Sequence, residues 1–218
     1  MRYLNLHTHS ASGNDDVLEI INRYPHEVSE LPPFYSIGIH PWYIDKDNLE
    51  QQMMVIDISA AHPGCLAIGE CGLDSRIETP VELQEPVFKS QLEIAMKHGK
   101  PVVLHLVGAF DRLIAIKREL NPNVPLIIHG FSKSRELAQQ LEKEGFYLSF
   151  GKYLLRNPGL RKAFEAVSAD RIFLETDTAE ETIAEVYQKA SSYRGCSVEE
   201  MKQTIAQNFN TVFGRKLS

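Results

Sequence analysis

The chain has 218 residues, of which 43% are hydrophobic and 24% charged, and its formal net charge is −6. This length predicts a single domain over residues 1–218. The acidic balance disfavours a protein that holds long duplex DNA on a broad basic surface. It is compatible with a nuclease that acts at a strand end, where bound metal ions supply positive charge.

The sequence carries no pattern typical of a membrane segment, a signal peptide or a disulfide framework. No apolar run approaches the roughly 20 residues that span a bilayer, and the N-terminal run meets His7 before a signal-peptide core is complete. The three cysteines (Cys65, Cys71 and Cys196) are odd in number and lack metal-ligand spacing. We therefore expect a cytoplasmic protein without a membrane partner or an obligate protein partner.

Apolar runs alternate along the chain with longer segments of helical periodicity. The predicted strands are 2–7, 17–23, 34–40, 65–69, 101–105, 124–129, 145–150 and 171–175. The predicted helices are 47–61, 82–98, 109–119, 133–144, 158–167, 179–193 and 197–212. This order predicts an α/β protein of the (β/α)8 TIM-barrel type. We expect its first third to be abbreviated or distorted, because no convincing helix separates the first two strands; an open doubly wound sheet is the alternative.

Ionisable side chains recur where the predicted strands end. His7 and His9 close the first strand on one face, because residues i and i+2 of a strand point to the same side. Later strands end at His40, Glu70, His105, His129, Glu175 and Asp177. In a parallel barrel these ends meet at one rim, which is where barrel enzymes have their active sites.

A divalent metal centre explains this combination of residues. Glu70, Glu175 and Asp177 would repel one another if they met without cations. Four imidazoles and two or three carboxylates suffice for two metals, one carboxylate bridging them, with positions left for water and substrate. A metal-bound water ionises near neutral pH and can attack a phosphorus or carbonyl centre. The imidazole-rich ligand set favours Zn or Mn over Mg.

Six motifs, in this order, resemble the successive signatures of the TatD-type metal-dependent deoxyribonucleases of the amidohydrolase superfamily. They are His7-Thr8-His9, Gly38-Ile39-His40-Pro41-Trp42, Ile68-Gly69-Glu70-Cys71-Gly72-Leu73-Asp74, Pro101-Val102-Val103-Leu104-His105, Ile128-His129-Gly130-Phe131-Ser132 and Leu174-Glu175-Thr176-Asp177. The resemblance implies two divalent metal ions (Zn, Mn or Mg) and hydrolysis of phosphodiester bonds, often from the 3′ end. The implied partner is DNA or a small phosphodiester.

The resemblance also implies a role for each residue. One metal would be bound by His7, His9, Glu70 and Asp177, and the other by Glu70, His105 and His129. Asp177 would orient the attacking water and accept its proton. His40 would contact the substrate phosphate, and Glu175 would support the site from its edge.

The chain departs from the family pattern where substrate is usually held. Val107 stands where the family usually has an arginine, the segment after Asp74 is short, and Asp177 leads directly into the 179–193 helix without the usual loop. Basic residues in the segments after strands four, six and seven could replace part of the lost phosphate contacts: Arg76, Lys133, Arg135, Lys152 and Arg156. The alternative for them is a set of solvated charges at helix starts.

Three functions are therefore compatible with the sequence. The first is cleavage of phosphodiester bonds, in short single-stranded DNA or at DNA ends. The second is a binuclear metal hydrolase of a small amide, lactone or ester, and the third is a non-catalytic metal-binding protein. Beside the proposed site, Asp74 is expected to hold a turn and Cys71 to pack in the core. Trp42 and Tyr43 could stack on a base or pack against the wall.

Overall fold

The protein is represented by a computed structural model that describes residues 1–216. Its strands are β1 (Tyr3–Thr8), β2 (Val17–Arg23), β3 (Tyr35–Ile37), β4 (Cys65–Asp74), β5 (Val102–Val107), β6 (Leu126–Ile128), β7 (Tyr147–Phe150) and β8 (Ile172–Leu174). Its helices are α1 (Leu49–Ala60), α2 (Val81–His98), α3 (Phe110–Leu120), α4 (Arg135–Lys143), α5 (Lys152–Arg156), α6 (Arg161–Ala166), α7 (Ile183–Arg194) and α8 (Val198–Phe213). Among residues 1–216, no helix combines the length and the apolar character needed to cross a bilayer.

All eight predicted strands are present, and they form one sheet in the order β1 to β8. The pairs β2–β3, β3–β4, β4–β5, β6–β7 and β7–β8 are parallel. After the last strand, Asp177 forms a parallel bridge with Thr8 at the end of β1. This sequential order, with its first and last strands joined, is the topology of a (β/α)8 barrel rather than an open doubly wound sheet.

Two local predictions need correction, and one short helix was not predicted. β4 continues past Glu70 to Asp74, so Glu70 lies inside a strand and not at its end. The helix after Asp177 begins at Ile183, because Thr182 and Glu185 form a capping box, and residues 178–182 are a short loop. The five-residue α5 was not predicted, since so short a helix shows no periodicity.

The described residues group into two compact units, whose boundaries fall inside β2 and inside β6. One unit comprises Met1–Ile20 and the chain from Ile127 onward, and the other is Ile21–Leu126; we call them the first and the second unit. The first third of the chain is abbreviated as expected, with no helix between β1 and β2 and only the 3-10 turn Pro25–Glu27 between β2 and β3. The predicted single-domain organisation stays a prediction.

In the second unit, two glycines let β4 run close to β5. A Cβ atom on Gly69 would lie 2.2 Å from the carbonyl oxygen of Val103, and one on Gly72 would lie 2.1 Å from that of His105. Both glycines also have positive φ values, 128° and 143°, which side chains rarely allow. The same approach brings the extended part of β4, with Glu70 and Asp74, alongside β5.

In the first unit, a buried tyrosine joins α7 to β1. The hydroxyl of Tyr187 donates to the carbonyl oxygen of Leu4 at 3.0 Å and accepts from its amide nitrogen at 3.1 Å. Burial raises the pKa of Tyr187, so the phenol stays neutral and can serve both backbone groups. This contact holds β1, which carries His7 and leads into His9.

Candidate metal centre

The first unit brings four predicted ligands together. Ligand atoms of His7, His129 and Asp177 lie within 4.8 Å of one another. His9 faces the same carboxylate, with Nε2 3.4 Å from Asp177 Oδ1. We name this group the Asp177 cluster: His7, His9, His129 and Asp177. Three imidazoles and one carboxylate are a donor set that suits a divalent transition metal.

Backbone contacts between β1 and the chain after β8 position the Asp177 cluster. The amide of Asp177 donates to the carbonyl oxygen of His7 at 2.9 Å. The buried side chain of Asn5 accepts from the amide of Thr176 at 3.0 Å and donates to its hydroxyl at 2.8 Å. Asp177 has φ +56°, a left-handed conformation that Asp adopts more readily than most residues. The strand and the turn together aim the Asp177 carboxylate at His7 in β1 and at His9 just after it.

The Asp177 carboxylate is surrounded by positive or protonatable groups. Burial alone would raise its pKa, but the hydrogen bond from His9, the charges of the other two imidazoles and the ammonium of Lys152 outweigh burial. The pKa of Asp177 therefore lies well below its ordinary value. Lys152 Nζ donates to Asp177 Oδ2 at 2.9 Å and to the hydroxyl of Thr178 at 3.3 Å. An ionised Asp177 is the form that binds a cation or accepts a hydrogen bond from water.

Glu175 lies beside this cluster and is fully buried. Its Oε1 accepts from the amide of Gly130 at 2.7 Å and lies 3.4 Å from His129 Nδ1. A carboxylate next to a ligand histidine typically orients the ring. This placement agrees with the supporting role expected for Glu175, which stays a prediction.

The second unit contains further predicted site residues. Glu70 Oε1 lies 3.2 Å from His40 Nε2 and 3.0 Å from His105 Nδ1. Ligand atoms of these three residues lie within 4.8 Å of one another. We name this group the Glu70 cluster: His40, Glu70 and His105. It also has the imidazole and carboxylate donors that suit a divalent cation.

Buried amide side chains position the Glu70 cluster. Asn22 Oδ1 accepts from the amide of Glu70 at 2.7 Å. On α2, Gln91 accepts from the amide of Ile39 at 2.7 Å, one residue before His40. Gln84, seven positions earlier on α2, accepts from the amide of Asp74 at 2.7 Å and donates to its carbonyl oxygen at 2.8 Å. These amides were not predicted from the sequence, although the two glutamines are spaced two turns apart on one helix face.

Asp74 was predicted only to hold a turn, but its carboxylate also contacts two aromatic side chains, those of Trp42 and His105. Its Oδ2 accepts from Trp42 Nε1 at 2.8 Å and lies 3.2 Å from His105 Nε2, while Oδ1 accepts from the amide of Arg76 at 2.9 Å. Burial opposes ionisation, but these hydrogen bonds outweigh it and hold the pKa of Asp74 below its ordinary value. His105 therefore faces a carboxylate on each side of its ring, Asp74 at Nε2 and Glu70 at Nδ1.

The basic residues predicted to contact substrate are placed differently from one another. Lys152 pairs with Asp177. Arg156, four residues later on α5, pairs instead with Glu181 in the loop before α7, with Nε 2.6 Å from Oε1. Arg76 follows the end of β4, and Lys133 and Arg135 lie at the start of α4 or just before it. Cys71 is buried, and burial raises the pKa of its thiol, in agreement with a packing role.

A cavity of about 400 Å³ in the first unit adjoins the Asp177 cluster. His9 and Asp177 form part of its wall. Further walls come from the chain between β1 and β2, including Ser10 and Asn14, and from the loop that follows Asp177. The absence of a helix between β1 and β2 therefore leaves space next to a candidate metal ligand.

Comparison with known proteins identifies the family. The model of TatD-related DNases matches residues 2–214. The chain belongs to the TatD-related DNase family. The resemblance inferred from the six motifs is thereby confirmed, and with it the prediction of a metal-dependent hydrolase of the TatD type.

Among similar relatives of this TatD-family chain, one is named for a substrate and two are named only as metal-dependent hydrolases. It is 32% identical over 199 residues to the uncharacterized metal-dependent hydrolase YcfH of Escherichia coli K12, covering 82% of this chain and 73% of that protein. It is 27% identical over 219 residues to the 3′-5′ ssDNA/RNA exonuclease TatD of Escherichia fergusonii, covering 90% and 81%. The uncharacterized metal-dependent hydrolase YabD of Bacillus subtilis is 33% identical over 149 residues, which are 66% of this chain and 58% of YabD.

Solved structures confirm the barrel. The TatD homologue YjjV of Escherichia coli K12 has a TM-score of 0.83 at 20% identity, covering 98% of both chains. A TatD-family hydrolase of Entamoeba histolytica has a TM-score of 0.79 at 15% identity, covering 98% of this chain and 99% of that one. At these identities the likeness concerns the fold, and it agrees with the sheet order described above.

Proposed function

We propose that this TatD-family protein hydrolyses phosphodiester bonds at the 3′ end of single-stranded nucleic acid, DNA above all, with two divalent metal ions. The observation that carries the proposal is the Asp177 cluster, in which three imidazoles surround an ionised carboxylate next to an open cavity. The naming of the relative TatD as a 3′-5′ exonuclease supports the substrate class.

The donor chemistry of both clusters fits the cofactor. His7, His9 and Asp177 would hold one ion, and Glu70 with His105 would hold another. The resemblance assigned His129 to the second ion, but its ligand atoms lie near those of His7 and Asp177, so we propose that it binds the first. Divalent ions in these positions would polarise the phosphate and lower the pKa of a coordinated water. That Glu70 bridges the two ions, and that the ions are Zn, Mn or Mg, stay predictions.

The chain's own residues would perform the remaining tasks. Asp177, ionised at neutral pH, would accept a hydrogen bond from the attacking water and then take its proton. Lys152, bonded to the same carboxylate, would place an ammonium beside the phosphate. His40 accepts the amide hydrogen of Trp42 at Nδ1, 3.1 Å away, so its Nε2 is the nitrogen that donates towards an oxygen anion.

The cavity beside Asp177 supports a substrate of nucleotide size. Its volume of about 400 Å³ falls within the range of small-molecule sites. Its wall contains amide and hydroxyl groups from Asn14, Ser10 and Thr178, which can hydrogen-bond a sugar or a base. Such a pocket favours a chain end over the interior of a duplex. The roles of Lys133, Arg135, Arg156 and Arg76 in holding substrate, and a cytoplasmic location, stay predictions.

The decisive experiment compares single-stranded DNA labelled at either end, in the presence of Mn²⁺, Mg²⁺, Zn²⁺ or Co²⁺. We expect metal-dependent release of mononucleotides from the 3′ end, lost in Asp177→Asn. Asp170→Asn, which removes an exposed carboxylate of the same unit, should retain full activity. Bound metal without nucleic-acid cleavage would contradict the proposal, and turnover of an amide or lactone by the same preparation would establish the alternative hydrolase.

A further inference from the structure

Trp42 combines exposure with a fixed orientation. Its side chain follows His40 in the 3-10 turn Pro41–Tyr43, and the residue is 58% exposed. Its indole nitrogen nevertheless donates to Asp74, a carboxylate that is only 3% exposed. A large aromatic ring usually buries most of its surface. Here the polar edge is anchored in the protein while much of the ring remains in solvent.

The anchored indole lies next to the Glu70 cluster. Its ring centroid is 5.0 Å from that of His40 and 5.9 Å from that of His105. Tyr43, the next residue, is 50% exposed, and its ring centroid lies 5.6 Å from that of His40. Two exposed aromatic rings therefore border the histidines of the Glu70 cluster.

We propose that Trp42 is a base-stacking platform, which binds an unpaired nucleobase of the substrate next to the Glu70 cluster. The inference rests on the proposed function and specifies which part of a nucleic acid this side of the site binds. A flat aromatic ring stacks on any base, so the platform selects unpaired bases without selecting their sequence. The hydrogen bond to Asp74 holds the ring before substrate arrives, which reduces the ordering that binding requires.

The same carboxylate connects the platform to a basic residue. Asp74 Oδ1 accepts from the amide of Arg76, while Oδ2 accepts from Trp42. Arg76 is exposed, and it is one of the basic residues predicted to contact phosphate. Asp74 thus links the segment of Trp42 to the backbone of Arg76, and an aromatic residue and a basic residue on linked segments suit the alternation of bases and phosphates along a single strand.

A structural role is the competing explanation for Trp42. In that case the indole serves only to satisfy Asp74 and to cover His40 and His105. Trp42→Phe and Trp42→Leu both lose the hydrogen bond to Asp74, but only the phenylalanine variant keeps a flat aromatic face. A structural role predicts similar losses in both variants for every substrate. A stacking role predicts a loss in the leucine variant that depends on the base.

Trp42 is the only tryptophan in the sequence, so its fluorescence reports on this position alone. The first measurement titrates the metal-loaded protein with thymidine 5′-monophosphate and, separately, with deoxyribose 5-phosphate. We expect saturable quenching and a spectral shift with the nucleotide, and little change with the sugar phosphate. Equal responses to the two compounds, or no response to either, would overturn the proposal. Because this is a binding measurement, it applies whether or not the protein cleaves DNA.

The second measurement compares cleavage of a short oligothymidylate with that of the same oligomer carrying abasic residues at its 3′ end. We expect the wild-type protein to have a KM about tenfold higher or more for the abasic oligomer. Trp42→Leu should raise the KM for the normal oligomer by a similar factor and leave that for the abasic oligomer unchanged. Trp42→Phe keeps a flat ring but loses the hydrogen bond to Asp74, so it should raise the KM for the normal oligomer less than Trp42→Leu does. If neither the abasic 3′ end nor the Trp42→Leu substitution alters the KM, stacking is refuted while the proposed nuclease activity is left intact.

Discussion

Lys152 on α5 donates to the carboxylate of Asp177 after β8, over a distance of 2.9 Å. The two residues are 25 positions apart in the sequence and belong to the same unit. Burial disfavours the charged ammonium, but the hydrogen bond and the charge of Asp177 outweigh it and raise the pKa of Lys152 above its ordinary value. The ammonium of Lys152 therefore lies beside a proposed metal ligand. In this position it repels a metal ion bound at Asp177 and attracts a substrate phosphate.

Replacing Lys152 should separate these two effects. In Lys152→Met we expect divalent metal to bind up to about tenfold more tightly, because a repelling charge near Asp177 is removed. The KM for a phosphodiester should rise, because the phosphate loses a cationic contact. Metal affinity can be measured by calorimetry and KM by steady-state kinetics. Lys162→Met, which removes an exposed cation from α6, is the charge-matched control and should change neither quantity. Parallel changes in metal affinity and substrate affinity would argue against this account.

Asp74 is expected to tune the Glu70 cluster through His105. In Asp74→Asn, the Nε2 side of His105 loses its charged partner, so we expect the affinity for divalent metal to fall about 10- to 100-fold. Calorimetry measures the affinity, and ¹⁵N NMR of the imidazoles should show a changed tautomer balance for His105. Asp57→Asn removes the carboxylate 2.7 Å from His98 in the same unit and serves as the matched control. Equal metal affinities of the two variants would exclude a positioning role for Asp74.

The close approach of β4 and β5 should make Gly72 indispensable. A methyl group there would lie 2.1 Å from a backbone oxygen, so Gly72→Ala should lower the free energy of unfolding by more than about 3 kcal/mol. Gly99 also has a positive φ, but no atom lies within 4 Å of the position a methyl group would take. Gly99→Ala should therefore cost only about 1 kcal/mol. Urea unfolding of both variants measures this difference, to which the φ of +143° at Gly72 and the short contact both contribute.

The stability of the second unit should fall in alkaline solution because of Tyr35. Burial, followed by the charge of Cys65, raises the pKa of Tyr35 to about 12, above the ordinary value of 10.0. The folded state therefore favours the neutral phenol, and this contribution is complete below about pH 10 and lost as the pH rises towards 12. The free energy of unfolding should decline across this interval, and less steeply in Tyr35→Phe. Identical pH profiles for the two proteins would contradict the assignment to Tyr35.

Much of the fold could be predicted because its signals are local. Apolar runs marked all eight strands, and residues typical of helix ends stand where α2 ends and α8 begins, namely Gly99 and the Ser197–Glu200 capping box. The errors arose where tertiary contacts override local pattern. β4 runs on past Glu70 because glycines let it pair with β5, and α5 is too short to show a period.

The candidate ligands could also be predicted, since ionisable residues at strand ends are visible in the sequence. Their detailed surroundings could not. Asp74 was expected to hold a turn, yet it also bonds Trp42 and faces His105. In the sequence, Lys152 could not be distinguished from the other basic residues. The structure shows that Lys152 forms an ion pair with Asp177, whereas Arg156 forms one with Glu181.

The sequence by itself determined the family, the order of strands and helices, and the residues capable of binding metal, because each depends on residue types at fixed spacings along the chain. Only the tertiary structure decided which nitrogen of an imidazole faces which carboxylate, and which exposed ring is anchored. Those relationships join residues that are tens of positions apart, and a hydrogen bond depends on distances of a few tenths of an ångström that no linear spacing specifies.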